Sequence, residues 1–179
     1  MHLKPSTYKD QISACISELQ TRNRPVPSHR LIRLLSSTCD YLEDGEDISR
    51  SAISLMNVVC DRFEQDWHSS WGIKRLLCVI REIRKCKLLI NYRHALDEPR
   101  FKSVWMLFAS RLSTSLGQLT PSEIVTASEE IAHSPLTVSE KQILLKDACT
   151  EVNTNTFLVA SLSAHEIERL VNAMAHVFG

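Results

Sequence analysis

Apolar residues recur every three or four positions along most of this chain, and that spacing predicts helices rather than strands. Ile12, Ile16 and Leu19, with Tyr8 and Cys15 beside them, mark a helix over about 6–22. Arg24-Pro25-Val26-Pro27 stops it, because the residue before a proline is pushed out of the helical region. Leu31, Leu34, Leu35 and Thr38 mark a second helix over 28–42. The acidic stretch Glu43-Asp44-Gly45-Glu46-Asp47 reads as a turn that places negative charge at the next helix N-terminus. That third helix, over 48–67, carries Ile53, Met56, Val59, Cys60 and Phe63, and His68-Ser69-Ser70 is expected to break it. The fourth, over 71–89, has a stripe of Ile73, Leu76, Leu77, Ile80 and Ile83. Lys74, Arg81 and Lys85 fall in a narrow arc on its opposite face, flanked by Arg75 and Arg84. A connection over 90–98 leads to a fifth helix over 99–116, with Val104, Leu107, Phe108 and Leu112 inward and Gly117 as its C′ residue.

The last third repeats one helix-opening phrase: Leu119-Thr-Pro-Ser-Glu123, Leu136-Thr-Val-Ser-Glu140 and Leu162-Ser-Ala-His-Glu166. Each pairs a Ser or Thr N-cap with a Glu at N3, so hydroxyl and carboxylate satisfy two orphan amides reciprocally. Leu119 with Ile124 and Leu162 with Ile167 have the spacing of hydrophobic staples. Pro121 stands at N1, where its missing N–H costs nothing. Asn153-Thr-Asn-Thr156 weakens the helix before Phe157–Ala160 resumes an apolar run.

The helices align with one another. Leu31, Ile73, Ile124 and Ile167 fall in register, and so do Leu34, Leu76, Ala127 and Leu170. The expected fold is therefore all-α: a single domain over 1–179, built as a short helical-hairpin repeat array (an α-solenoid) of about eight helices. Its approximate units are 5–42, 48–89, 99–133 and 137–178. Each unit has a face it cannot bury alone, so neighbours must stack. The apolar ends, around Ile12 and Phe178, are expected to be covered by neighbouring proteins.

Composition adds little until charge is mapped. The net charge is zero, yet it runs +4 over 1–39, −6 over 40–70, +7 over 71–111 and −5 over 112–179. A basic block flanked by acidic ones steers an anionic partner even on a neutral molecule. The six cysteines form no C-x-x-C pair and mostly occupy apolar helix positions, which reads as buried free thiols in a reducing compartment. No apolar run approaches the length of a membrane span.

The segment Leu162-Ser-Ala-His-Glu-Ile-Glu-Arg-Leu-Val-Asn-Ala-Met-Ala175 resembles the helix opening of the FAST-kinase-like, heptatricopeptide and octotricopeptide families. Leu119–Ala132 is similar to a second copy. The resemblance implies a helical-repeat protein of mitochondria or plastids that binds organelle RNA or sits in an organelle ribosome. It implies no catalytic residue. Few repeats of unequal length suit filling and bridging better than base-by-base reading of RNA.

Other chemistry finds no support. The seven histidines are dispersed, with no H-x-x-x-H, no H-E-x-x-H and no zinc-finger spacing. Glycine-rich phosphate loops and a G-x-S-x-G setting are absent. No enzyme activity, cofactor, metal or small-molecule substrate is expected. The candidate surface is basic: Lys74, Arg75, Arg81, Arg84, Lys85, Lys87, Arg93, Arg100 and Lys102, with Arg111 nearby. Such residues hold RNA phosphates without reading sequence, and Trp71 and Tyr92 add stacking faces. Trp105 and Phe108 are assigned to the core. The expected function is a non-catalytic, RNA-associated component of a mitochondrial ribonucleoprotein such as the ribosome, in the matrix. The alternatives are a protein–protein adaptor without RNA contact, and a cytoplasmic location.

Overall fold

The computed structural model describes residues 5–21, 26–45, 48–91, 98–154 and 160–179. It is all-helical, with no strand among the described residues and eight helices. These are α1 (Pro5–Gln20), α2 (Ser28–Glu43), α3 (Ser49–Arg62), α4 (Ile73–Asn91), α5 (Glu98–Ser113), α6 (Pro121–Ala132), α7 (Val138–Thr154) and α8 (Ala164–Phe178). A π turn over Phe63–Trp67 and a further helical turn over His68–Ser70 extend α3.

The largest contacts join helices that are two apart in the chain: α2 with α4, α6 with α8, and α1 with α3. One core results, filled mainly by Leu, Ile, Val and a few large rings. Trp105 and Phe108 are fully buried and meet edge to face, with ring centroids 5.5 Å apart, the geometry that aromatic quadrupoles favour. Tyr8 is buried too, its hydroxyl bonded to the Thr38 hydroxyl, so α1 brings a polar tip into the core with its hydrogen bond satisfied. Ile12 is fully buried by its own chain. The expectation that it marks an open apolar end is corrected.

All three repeated phrases form capping boxes. Thr120 and Ser163 each accept from the N3 amide while Glu123 and Glu166 accept from the cap amide. Thr137 and Glu140 do the same, at 3.3 and 2.8 Å.

Two helix ends differ from expectation. Helix α3 does not break at His68-Ser69-Ser70; the chain turns at Trp71, whose ψ is 149°. The Ser69 and Ser70 hydroxyls donate back to the Asp66 carbonyl at 3.0 and 2.7 Å, and the Phe63 carbonyl accepts from His68 Nδ1 at 2.9 Å. The Phe63 carbonyl also accepts the His68 backbone amide, the i→i+5 bond of the π turn. Helix α5 ends at Ser113, and Gly117 belongs to a short 3-10 turn, Leu116–Gln118. Gly45 is the described residue with positive φ, at 80°, so Gly117 is not a left-handed C′ residue. The acidic turn after α2 is placed on that glycine instead.

The registered positions bury in three copies and fail in the fourth. Leu31, Ile73 and Ile124 are fully or almost fully buried, whereas Ile167 is 43% exposed.

Candidate functional site

Helix α4 packs on α2, α3, α5 and α6, which leaves a narrow strip of it in solvent, with Arg75 exposed beside its start. Lys74, Cys78, Arg81 and Leu88 are exposed along that strip, and Lys85 is half-exposed. At 100° per residue these five positions lie within about 80° of arc. The strip forms because Ile73, Leu76, Leu77, Ile80 and Ile83 take the opposite faces into the core.

Much of the positive charge on and around the strip is already matched. Lys74 Nζ lies 3.3 Å from Glu123 in the first turn of α6. Lys85 Nζ lies 3.6 Å from Glu82, one turn back. Arg100 Nε lies 3.6 Å from Asp61 on α3. The Lys87 ammonium sits 4.4 Å from the Phe101 ring centroid, and the Arg75 guanidinium 5.2 Å from that of Trp71, both cation–π distances. Arg84 turns away from the strip toward α6 and grips Glu130 through both Nε and Nη2. Glu130 is 1% exposed, so this is a buried bidentate pair. Donating to the Glu130 carboxylate raises the Arg84 pKa above its ordinary value, against the opposing effect of burial. Arg81 makes no ion pair among the described residues, though its charge helps hold the Glu129 carboxyl below the usual range, after the larger effect of the Arg169 hydrogen bond. Lys102 is exposed on α5. Arg93 and Tyr92 lie outside the described residues.

Among the described residues, the sequence-selected cations therefore do not form one patch. Arg84 serves the α4–α6 contact, and Arg100 reaches toward α3. Lys74, Arg81 and Lys85 share the strip. The α6 acids that meet α4, Glu123, Glu129 and Glu130, sit some forty to fifty residues on in sequence. No local spacing signals that they face α4.

Trp71 is half-buried and already stacked on Trp67, with centroids 4.3 Å apart and planes 13° from parallel. Beside this stack is a cavity of about 380 Å³, bounded by Leu19, Pro27, Arg62, Asp66, Trp67 and Arg75 among others. Arg62 closes one wall by donating to Asp66 and to the Leu19 carbonyl, both at 2.8 Å.

A second exposed surface was missed in part. Helix α8 carries Ile167, Val171, Met174 and Phe178 on one side. Ile167, Val171 and Phe178 are exposed, Met174 is half-buried, and of the residues on α8 only Ala173 is buried. From the opposite side Arg169 grips Glu129 of α6. On the exposed side itself, Met174 Sδ lies 3.5 Å from Cys149 Sγ of α7. On α7, Val138 and Ile143 are also exposed.

No group of three or more His, Cys, Asp or Glu among the described residues is arranged to hold a metal ion. No described helix is long and apolar enough to cross a membrane. Comparison with protein-family models, with curated proteins and with solved structures finds no match to this chain.

Proposed function

We propose that this chain is a non-catalytic, protein-binding component of a larger assembly, and that it docks through the open side of α8. The observation that carries this reading is the exposure of Ile167, Val171 and Phe178 on one helix face, at 43%, 58% and 41%. An exposed apolar stripe at i, i+4 and i+11 is what an amphipathic partner helix lays its own apolar face against. The fold fits this role as a short helical-hairpin array, supported by the stacking of α1 on α3, α2 on α4 and α6 on α8. In such arrays a unit whose outer face is apolar needs a neighbour to cover it.

The test is recovery of the native complex from cells, with and without nuclease, for wild type and for Ile167→Glu/Val171→Glu. A complex that survives nuclease and is lost in the double variant, with helical content unchanged by circular dichroism, supports the reading. A complex indifferent to both substitutions overturns it.

A second reading, contact with RNA phosphates in an organellar ribonucleoprotein such as the mitochondrial ribosome, is favoured by the solvent strip of α4. Arg81 is exposed there without an ion pair among the described residues, between Lys74 and Lys85. Glu123 and Glu129 beside it weaken that surface for phosphate, which is why this reading stands second. It predicts binding that falls steeply with salt, a complex lost on nuclease treatment, and sensitivity to Arg81→Glu.

A further inference from the structure

Cys39 on α2 and Cys86 on α4 are 47 residues apart in the chain, and their Sγ atoms are 2.8 Å apart. Both are buried, Cys86 completely and Cys39 to 6% exposure. Bonded disulfide sulfurs are about 2.05 Å apart, so closing this pair needs roughly 0.8 Å of sulfur movement. The backbones on either side are already fixed, because α2 and α4 make the most extensive helix–helix contact in the described chain. Sequence spacing gives no hint of the pair, since the two cysteines come from different helical hairpins.

We propose that Cys39 and Cys86 are a disulfide-forming pair, oxidised by hydrogen peroxide, and that the bond locks α2 to α4. Cys39 is the more accessible sulfur and reacts first. Its thiolate attacks one peroxide oxygen; an S–O bond forms, the O–O bond breaks, and the departing hydroxide takes up a proton to leave as water. The Cys86 thiolate then attacks the resulting sulfenic sulfur. The S–S bond forms, the S–O bond breaks, and a second water leaves. The two thiols are oxidised by two electrons in all, and one peroxide is reduced to two waters.

The surroundings select the oxidant. The hydrogen bond with Cys39, and then burial, hold the Cys86 thiol well above the ordinary thiol range. Cys86 is thereby held as the thiol at neutral pH, which slows its attack on the sulfenic sulfur. A small neutral oxidant reaches sulfurs with this little exposure, whereas a bulky disulfide such as oxidised glutathione does not.

The test uses the full chain, purified under reductant, desalted and exposed to hydrogen peroxide at neutral pH. Remaining thiols are alkylated in denaturant and the peptides mapped by mass spectrometry. The expected product is a Cys39–Cys86 cross-linked peptide, two hydrogens lighter than its parts, as the main disulfide. It should form much faster with peroxide than with oxidised glutathione. Closing a loop of this length lowers the unfolding equilibrium constant by about 10³-fold, read as a higher urea midpoint that dithiothreitol reverses. Recovery of both cysteines as alkylated thiols, after an exposure that oxidises the solvent-facing Cys78, overturns the proposal; so does their linkage to other cysteines. In Cys86→Ser the peroxide-dependent shift should vanish. Should that variant fail to fold, the wild-type peptide map decides alone.

Discussion

The central helices and helix α8 are built from similar sequence, yet they end in opposite states. Around α4 and α5, nearly every registered apolar residue is buried, with Trp105 and Phe108 at zero exposure. In α8 the same register leaves Ile167, Val171 and Phe178 in solvent. The helix start is no worse specified there. Ser163 and Glu166 form the same capping box as Thr120 and Glu123. Capping decides where a helix begins, and neighbours decide what it buries. A helix can be fully determined locally and still be incomplete.

The sharpest way to break that comparison is to truncate one ring from each region. Phe108→Ala should cost about 3–5 kcal/mol in urea denaturation, the range for emptying a packed core site. Phe178→Ala should cost under about 1.5 kcal/mol. Equal losses would mean that α8 is as tightly packed as the centre.

Ion pairs give the next test. Glu130→Ala strands Arg84, whose side chain is 18% exposed, and should cost about 3 kcal/mol. The neighbouring Glu129→Ala removes a partner of Arg169 where both side chains are more than a quarter exposed, and should cost about 1 kcal/mol or less. A double-mutant cycle on each pair checks the difference.

The smallest expected effect is a pH slope confined to the α6–α8 end. The ring of His133, at the C-cap of α6, lies 4.7 Å from that of His176 on α8. Burial, and then the charge of Arg84, lower the His133 pKa below its ordinary 6.5. The unfolded chain therefore takes up a proton at His133 first as pH falls. Stability should be full above about 6.5, decline as pH drops toward the lowered folded value, and then level off. Glu129 acts in a separate window. Its pKa lies below the ordinary 4.5, so the stability it contributes is present above 4.5 and lost as pH falls through its folded value. Melting temperatures of wild type and His133→Gln between pH 7.5 and 5.5 check the first window; the variant should lose the slope.

Much of the helical layout was legible from spacing alone. The capping boxes fixed three starts, and the stripes on α2 and α4 pointed to their buried faces. The errors came from reading residues without their distant partners. His68-Ser69-Ser70 looks like a break until the hydroxyls are seen bonding back to Asp66. Gly117 looks like a helix stop, but α5 had already ended at Ser113. The basic block was visible as a block. Its division among Glu123, Glu130, Asp61 and Phe101 was not, because those partners lie on other helices. Burial of Ile12 was equally hidden, since nothing in its own helix tells that α3 lies over it.

Arg111 shows what such long reach implies for the order of assembly. From α5 its two Nη atoms donate to the backbone oxygens of His68 and Trp71, the latter at 3.0 Å. The final turn beyond α3 thus borrows its closure from a residue about forty positions downstream. Until α5 arrives, those oxygens have only water, and the turn should fray. Amide exchange over 67–71 should then report the docking of α5 rather than the formation of α3.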